Sequence, residues 1–115
     1  MAYVDGFVLP VPTKKLTDYK KMAKAGAKMW KKYGALSYYE CVGDDMKPSF
    51  GMPFPKAFKV KPSETVVFSF IVYKSKAHRN AVNKKIMSDP SMANFEMPFD
   101  MSRMVVGGFK PIVSF

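Results

Sequence analysis

The sequence holds one cysteine, one histidine and one tryptophan among 115 residues. A lone cysteine cannot close an intrachain disulfide or build a cysteine-rich zinc site, so a disulfide scaffold is excluded and nothing points to an oxidising compartment. With one histidine there is no H-x-x-x-H or comparable ligand spacing, and neither a metal nor a cofactor is expected. Long apolar runs are missing too. The longest mostly apolar stretch, Val66 to Tyr73, is far shorter than the ~20 residues that cross a bilayer. The chain begins Met-Ala-Tyr-Val-Asp without the basic n-region of a secretory leader, so a cytoplasmic protein with no membrane association is expected. Acidic residues are scarce, nine against nineteen Lys plus Arg, which leaves a net charge of +10. What the chain does have is 48% hydrophobic and 15% aromatic content, too apolar for disorder, at a length that suits one domain with one core across residues 1–115.

Residues 2–11 alternate around β-branched and aromatic positions and then meet Pro10 and Pro12, which reads as a first strand ending at an edge. Thr13 is placed to cap a helix over 14–33, where Leu16, Tyr19, Ala23, Gly26 or Ala27, Trp30 and Tyr33 recur every three or four residues and Gly34 closes the last turn. From Ala35 the period becomes two, with Leu36, Tyr38, Glu40 and Val42 on one face and Ser37, Tyr39, Cys41 and Gly43 on the other. Four prolines between Met46 and Glu64 break any long element, although Ala57 to Val60 could add a short strand extension. Thr65 to Tyr73 is apolar on both faces and belongs at a sheet centre. Ser75 caps a second helix over 75–88 with Ala77, Ala81, Val82 and Ile86 as its stripe. A loop containing Met and Phe residues runs from Pro90 to Asp100, and Arg103 to Phe109 forms the last strand. The order βαββαβ is that of an α+β, ferredoxin-like sandwich with both helices on one sheet face. Its second face is also apolar, and in so short a chain the simplest cover is another copy. A homodimer packed through its sheet faces, a dimeric α+β barrel, is therefore expected.

The charge is concentrated. The first helix carries Lys14, Lys15, Lys20, Lys21, Lys24, Lys28, Lys31 and Lys32 against Asp18, so most of the excess is one solvated helix face. Nucleic acid is not an expected partner, because Phe68 and Phe70 lack the basic and glycine residues of an RNA-binding word on that strand. Weak polyanion contact through the first helix is the remaining alternative of that kind.

Several words in this order carry a resemblance: Tyr3-Val4-Asp5-Gly6-Phe7; Gly34-Ala35-Leu36 leading to Glu40-Cys41-Val42-Gly43-Asp44-Asp45; Glu64-Thr65-Val66-Val67-Phe68-Ser69-Phe70; Arg79; Met97-Pro98-Phe99-Asp100; and Arg103-Met104 to Gly107-Gly108-Phe109. Together they resemble the uncharacterised YbaA-like family of small bacterial proteins, over nearly the whole chain. The resemblance implies a dimeric ferredoxin-like α+β barrel and no particular activity. Phe70 departs from it where the family has Trp, as does Met101-Ser102 in place of a more polar turn.

Among candidate site residues, Asp5, Glu40 and Arg103 stand out as charges on strands, with Tyr38 and Cys41 beside Glu40. A buried carboxylate needs a partner or changes its pKa. In a ligand pocket Asp5 or Glu40 would be the base and Arg103 would hold an anion; salt bridges fixing the dimer register are the favoured reading of the same three. Arg79 and Asp100 are candidates to anchor the loop or contact an anion, with a surface ion pair favoured. Met87, Met92, Met97, Met101 and Met104 could line an apolar site, although core filling is the more common use of Met. Cys41 and His78 are the one pair able to form a thiolate–imidazolium couple, and no hydrolase signature surrounds the cysteine. The expectation is a homodimeric small-ligand-binding barrel of unknown activity. Its alternative is a cofactor-independent monooxygenase-like enzyme, by analogy of fold alone.

Overall fold

The computed structural model describes residues 1–94 and 97–115, so the expected loop from Pro90 to Asp100 lies partly outside the described residues, at positions 95 and 96. Strand β1 (Tyr3–Pro12) runs through a 3-10 turn (Thr13–Lys15) into helix α1 (Leu16–Lys32). Strand β2 (Ser37–Val42), the one-turn helix α2 (Phe54–Ala57), strand β3 (Glu64–Tyr73) and helix α3 (Lys76–Met87) follow. Two further 3-10 turns, Pro90–Asn94 and Met101–Arg103, precede strand β4 (Val105–Phe109). The sheet order is β2-β3-β1-β4 and every neighbouring pair is antiparallel. This is an α+β architecture with the two long elements β1 and β3 at its centre. Among the described residues no helix is long and apolar enough to cross a membrane.

Local chemistry fixes the helix ends. Gly34 takes φ +103°, a conformation that costs glycine nothing, and the chain then closes α1 with two reversed bonds, Ala35 N–H to Trp30 O at 3.0 Å and Gly34 N–H to Lys31 O at 3.2 Å. At α3, the Ser75 side chain accepts the His78 N–H at 3.0 Å. The expected cap at Thr13 does not form. Thr13 lies in the 3-10 turn, and α1 starts three residues later with no side-chain cap. Ala57 to Val60 is not a strand extension either. Pro53 and Pro55 preset the backbone for the first turn of a helix, and Lys59 then takes φ 51° and ends it. The last strand begins at Val105 rather than Arg103, because Asp100 caps a 3-10 turn by accepting the Ser102 N–H at 2.9 Å.

Odd-numbered residues of β1 and β3 face the helices. Leu9, Val11, Val67, Ile71 and Tyr73 are buried there under Tyr19, Ala23 and Met29 of α1 and Val82 and Ile86 of α3. The expected stripe of α3 is rotated: Ala77 and Ala81 are exposed, and the inward line runs through Arg79, Val82, Asn83 and Ile86, so two of its four members are polar. The core divides into two clusters, one around Leu9, Tyr19 and Val67, the other around Met29, Ile71, Tyr73 and Val82.

The opposite sheet face carries Tyr39 of β2, Phe68 and Phe70 of β3, and Val105 and Phe109 of β4, the last two paired with Val8 and Val4 of β1. Met46, Pro55 and Val60 gather around Val66 at one end of it. Elsewhere it is open: Tyr39 is 56% and Phe109 61% exposed, although Tyr39 stacks on Phe70 at 5.0 Å.

Candidate functional site

Glu40 sits in the middle of β2 on the helix side, opposite Ser69, which in turn pairs with Phe7. Strand alternation puts Tyr38 on the same face two residues earlier, and the first helical stripe brings Tyr19 down from α1. The Tyr19 hydroxyl donates to Glu40 Oε1 at 2.9 Å and reaches Oε2 at 3.2 Å, while the Tyr38 hydroxyl donates to Oε2 at 2.9 Å. Burial pushes both phenols well above the ordinary tyrosine range, and the neighbouring Glu40 charge and hydrogen bonds push them further. Both are therefore fixed proton donors to the carboxylate, not nucleophiles.

This carboxylate lies in the wall of a cleft of about 150 Å³ between the two core clusters. Phe7, Leu9, Met22, Ala23, Trp30, Ile71 and Phe99 line it, and Met92, Met97, Met101 and Met104 close it on the side of the long connection from α3 to β4. Met97 and Met101 are about half exposed and stand at its mouth. Tyr19 meets Phe99 edge to face at 5.7 Å, and Trp30 tilts over Tyr38 at 5.8 Å. Among the described lining residues, the polar groups besides Glu40, Tyr19 and Tyr38 are the hydroxyl of the buried Ser69 and the indole N–H of Trp30, which Tyr73 accepts.

Asp5 occupies a second, separate place on the helix side. It is only 5% exposed, and Arg79 Nη1 donates to its Oδ1 at 3.1 Å. Arg79 also lies over the Tyr3 ring at 4.9 Å, a cation–π arrangement, with Nη2 3.4 Å from the Tyr3 hydroxyl. Burial raises the Asp5 carboxyl above the ordinary aspartate range, and the Arg79 charge with the nearby Asn83 and Tyr73 side chains only partly offsets this. Tyr73, fully buried, accepts the Trp30 Nε1–H at 2.9 Å and donates to Asn83 Oδ1 at 3.2 Å. Its phenol is pushed up to about 12, chiefly by burial. A cavity of about 410 Å³ adjoins this network, with Gly107 and Gly108 in its wall. A Cβ on Gly108 would collide with the Tyr3 hydroxyl, so the Tyr3–Arg79 stack requires glycine there.

Asp5, Glu40 and Arg103 do not converge. Arg103 is spent on the other side of the loop, where Nη1 donates to Glu64 Oε2 at 2.6 Å and Nη2 to the Lys59 carbonyl at 3.0 Å. The ion pair holds the Glu64 carboxyl below the usual range, helped by the Lys61 N–H. Arg79 and Asp100 do not meet: Arg79 serves Asp5, and Asp100 accepts both the N–H and the hydroxyl of Ser102, which lowers its pKa. Cys41 is exposed, on the open sheet face opposite Phe68. His78 stands at the start of α3, where its Nδ1 accepts the N–H of nearby Lys74 at 3.0 Å, so the two form no couple. Among the described residues no three His, Cys, Asp or Glu gather as a metal site.

The sequence reading did not single out Tyr19, Ser69, Tyr73 or Asn83. Ser69 carried a signal, a lone polar residue within the apolar run of β3. Tyr19 sat within the helical stripe, where an aromatic reads as core. Of the five methionines considered for an apolar lining, four close the cleft, and Met87 borders the cavity beside Asp5.

Known proteins place the chain in a family. It is 46% identical over 115 residues to the uncharacterized protein YbaA of Escherichia coli K12, covering 98% of each chain, and to the same degree to YbaA of Shigella flexneri. Two solved structures share the fold at low identity. One is a dimeric ferredoxin-like protein from an uncultured marine organism, 14% identical, covering 100% of both chains with a TM-score of 0.57. The other is an uncharacterized NIPSNAP domain protein from Burkholderia xenovorans, also 14% identical, covering 95% of this chain and 93% of that one with a TM-score of 0.54. Residues 2–101 match the family described as protein of unknown function DUF1428, and the chain belongs to that family.

Proposed function

We propose that the protein binds a small, mostly apolar molecule in the cleft beside Glu40, and that it does so as a homodimer joined through the open sheet face. The observation that carries the binding reading is the Glu40 carboxylate, held by the buried Tyr19 and half-buried Tyr38 phenols in an otherwise mostly apolar wall. A concave apolar site with a few convergent polar groups is the usual form of a small-molecule site. An interior built only for stability has little use for a carboxylate there, since removing it from water is costly.

The dimer reading rests on the aromatic and branched side chains left open on the second sheet face. Contiguous apolar exposure of this kind marks an interaction surface, and sheets pack face to face at about 10 Å. A fold relative described as dimeric supports a dimer. The exposed, unpaired Cys41 suits the reducing cytoplasm.

An enzymatic reading, with Glu40 as a general base, draws on the same placement, because a carboxylate in an apolar cleft is well placed to take a proton from a bound substrate. Native mass spectrometry of freshly purified protein tests the leading reading. A dimer mass with a bound small molecule, or with one acquired from a metabolite panel and lost in Glu40→Gln, is the expected result. A bare monomer indifferent to the panel and to the substitution would overturn it.

A further inference from the structure

Resting on the reading of the Glu40 cleft as a ligand site, we infer that its ligand is a single-ring aromatic bearing an O–H or N–H donor, a phenol or an aromatic amine, with the donor seated on Glu40. The argument starts from size. The open space is about 150 Å³, and an apolar cavity on the order of 150 Å³ holds one benzene-sized molecule. A fused-ring or long-chain ligand would have to extend out through the open side of the cleft, where the apolar lining ends.

The walls select for an aromatic ring. Met22, Met104 and Phe99 pack against one core cluster and Phe7, Trp30 and Met92 against the other, so thioethers and rings border the cleft on both sides. Sulfur makes favourable contacts at the edges of aromatic rings, and aromatic rings pair edge to face or offset. A saturated ring of the same size gains neither contact.

The polar end selects for a donor. A carboxylate accepts only, through about four lone-pair directions on its two oxygens. The Tyr19 and Tyr38 hydroxyls occupy some of these, and both already direct their protons at Glu40. Neither phenol can donate to a ligand while it holds the carboxylate. An incoming carboxylate, phosphate or nitro group would therefore meet a negative charge, with no cationic side chain among the described residues lining the cleft to offset it. An incoming O–H or N–H would meet a charged acceptor, which makes a shorter and stronger bond than a neutral one. The Ser69 hydroxyl, across the strand pair from Glu40, can accept or donate to the same head group.

The test is a titration of the full-length protein with phenol, benzene, cyclohexanol and benzoate, followed by isothermal calorimetry. A second readout is the fluorescence of Trp30, the one tryptophan of the chain and part of the cleft wall. Phenol is expected to bind at least about tenfold more tightly than benzene, as a charge-assisted hydrogen bond provides. Phenol is also expected to bind more tightly than cyclohexanol, and benzoate to be the weakest of the four. In Glu40→Gln the advantage of phenol over benzene should shrink while benzene binding persists. If benzene equals phenol, or benzoate binds best, the donor assignment is wrong and the cleft is still a ligand site. If cyclohexanol equals phenol, the aromatic assignment is wrong. If none of the four binds, the ligand-site reading fails and takes this inference with it. The comparison among ligands uses the unaltered protein, so it stands even if Glu40→Gln does not fold.

Discussion

Replacing Arg79 by alanine leaves Asp5, at 5% exposure, without its one cationic partner. The side chain of Arg79 is itself only 22% exposed, and water entering from the adjoining cavity supplies no positive charge in its place. Breaking a buried pair from one side typically costs about 3–5 kcal/mol, and the lower end suits a pair whose arginine keeps some contact with solvent. For a chain of this length, about 3 kcal/mol corresponds to a fall in Tm of roughly 12 °C. The loss should depend on pH, with a sign fixed by the direction of the Asp5 shift. Its folded pKa is raised above the unfolded value of 3.8, so the folded state holds the proton more tightly. The associated stability is fully present below 3.8 and is lost as pH rises through the folded pKa. Without Arg79 the folded pKa rises further and the window widens upward, so Arg79→Ala is nearer to wild type at pH 4 than at pH 8. Asp5→Asn combined with Arg79→Ala should recover much of the loss at pH 8, because no charge is then buried. Thermal denaturation at fixed protein concentration, across that pH range, supplies all of these values. A cost below about 1 kcal/mol, or one that does not change between pH 4 and pH 8, would refute the claim that Asp5 is held as a buried ion by Arg79.

Tyr73→Phe removes the acceptor of the Trp30 indole N–H and the donor to Asn83, and should cost about 1–3 kcal/mol in chemical denaturation; an unchanged midpoint would show that water already satisfies these groups. Gly108→Ala should destabilise by forcing Tyr3 off Arg79, and Tyr3→Ala in the same chain should relieve most of the added strain; a Gly108→Ala protein as stable as wild type would remove the case for glycine at that position. Phe70→Asp places a charge at the centre of the open sheet face beside Tyr39, and sedimentation velocity should then show a folded monomer where the wild type sediments as a dimer. A wild type that sediments as a monomer would dispose of the proposed assembly.

The order of elements was readable because the main ones left distinct signatures: a period of two in β2, of three to four in α1, and in β3 an apolar run interrupted by Ser69. Errors fell where a local signal had a rival. Thr13 reads as a cap, yet Pro12 and the 3-10 turn delay the helix. Alanines at 77 and 81 read as a buried stripe, yet Arg79 and Asn83 take the inward positions because Asp5 and Tyr73 wait beneath them with hydrogen bonds to fill. The candidate site was partly legible for a related reason. Asp5 and Glu40 stood out as charges within strands, and both lie on the helix side of the sheet. Their partners did not stand out, since which hydroxyl meets which carboxylate depends on the height of α1 over the sheet and on the β2–β3 register. Arg103 was drawn to the wrong carboxylate: with Asp5, Glu40 and Glu64 all on strands, spacing alone does not choose Glu64.

A protein selected only for resistance to unfolding would have no reason to keep Ala23 facing the gap between its two core clusters. Ala23→Leu or Ala23→Met would extend a side chain from α1 into that gap and bind the clusters into one. Filling of this kind commonly adds about 0.5–2 kcal/mol. On the proposed ligand-site reading, the small residue at position 23 keeps room for the ligand, and a hardier variant with Leu or Met there would be one that no longer binds it.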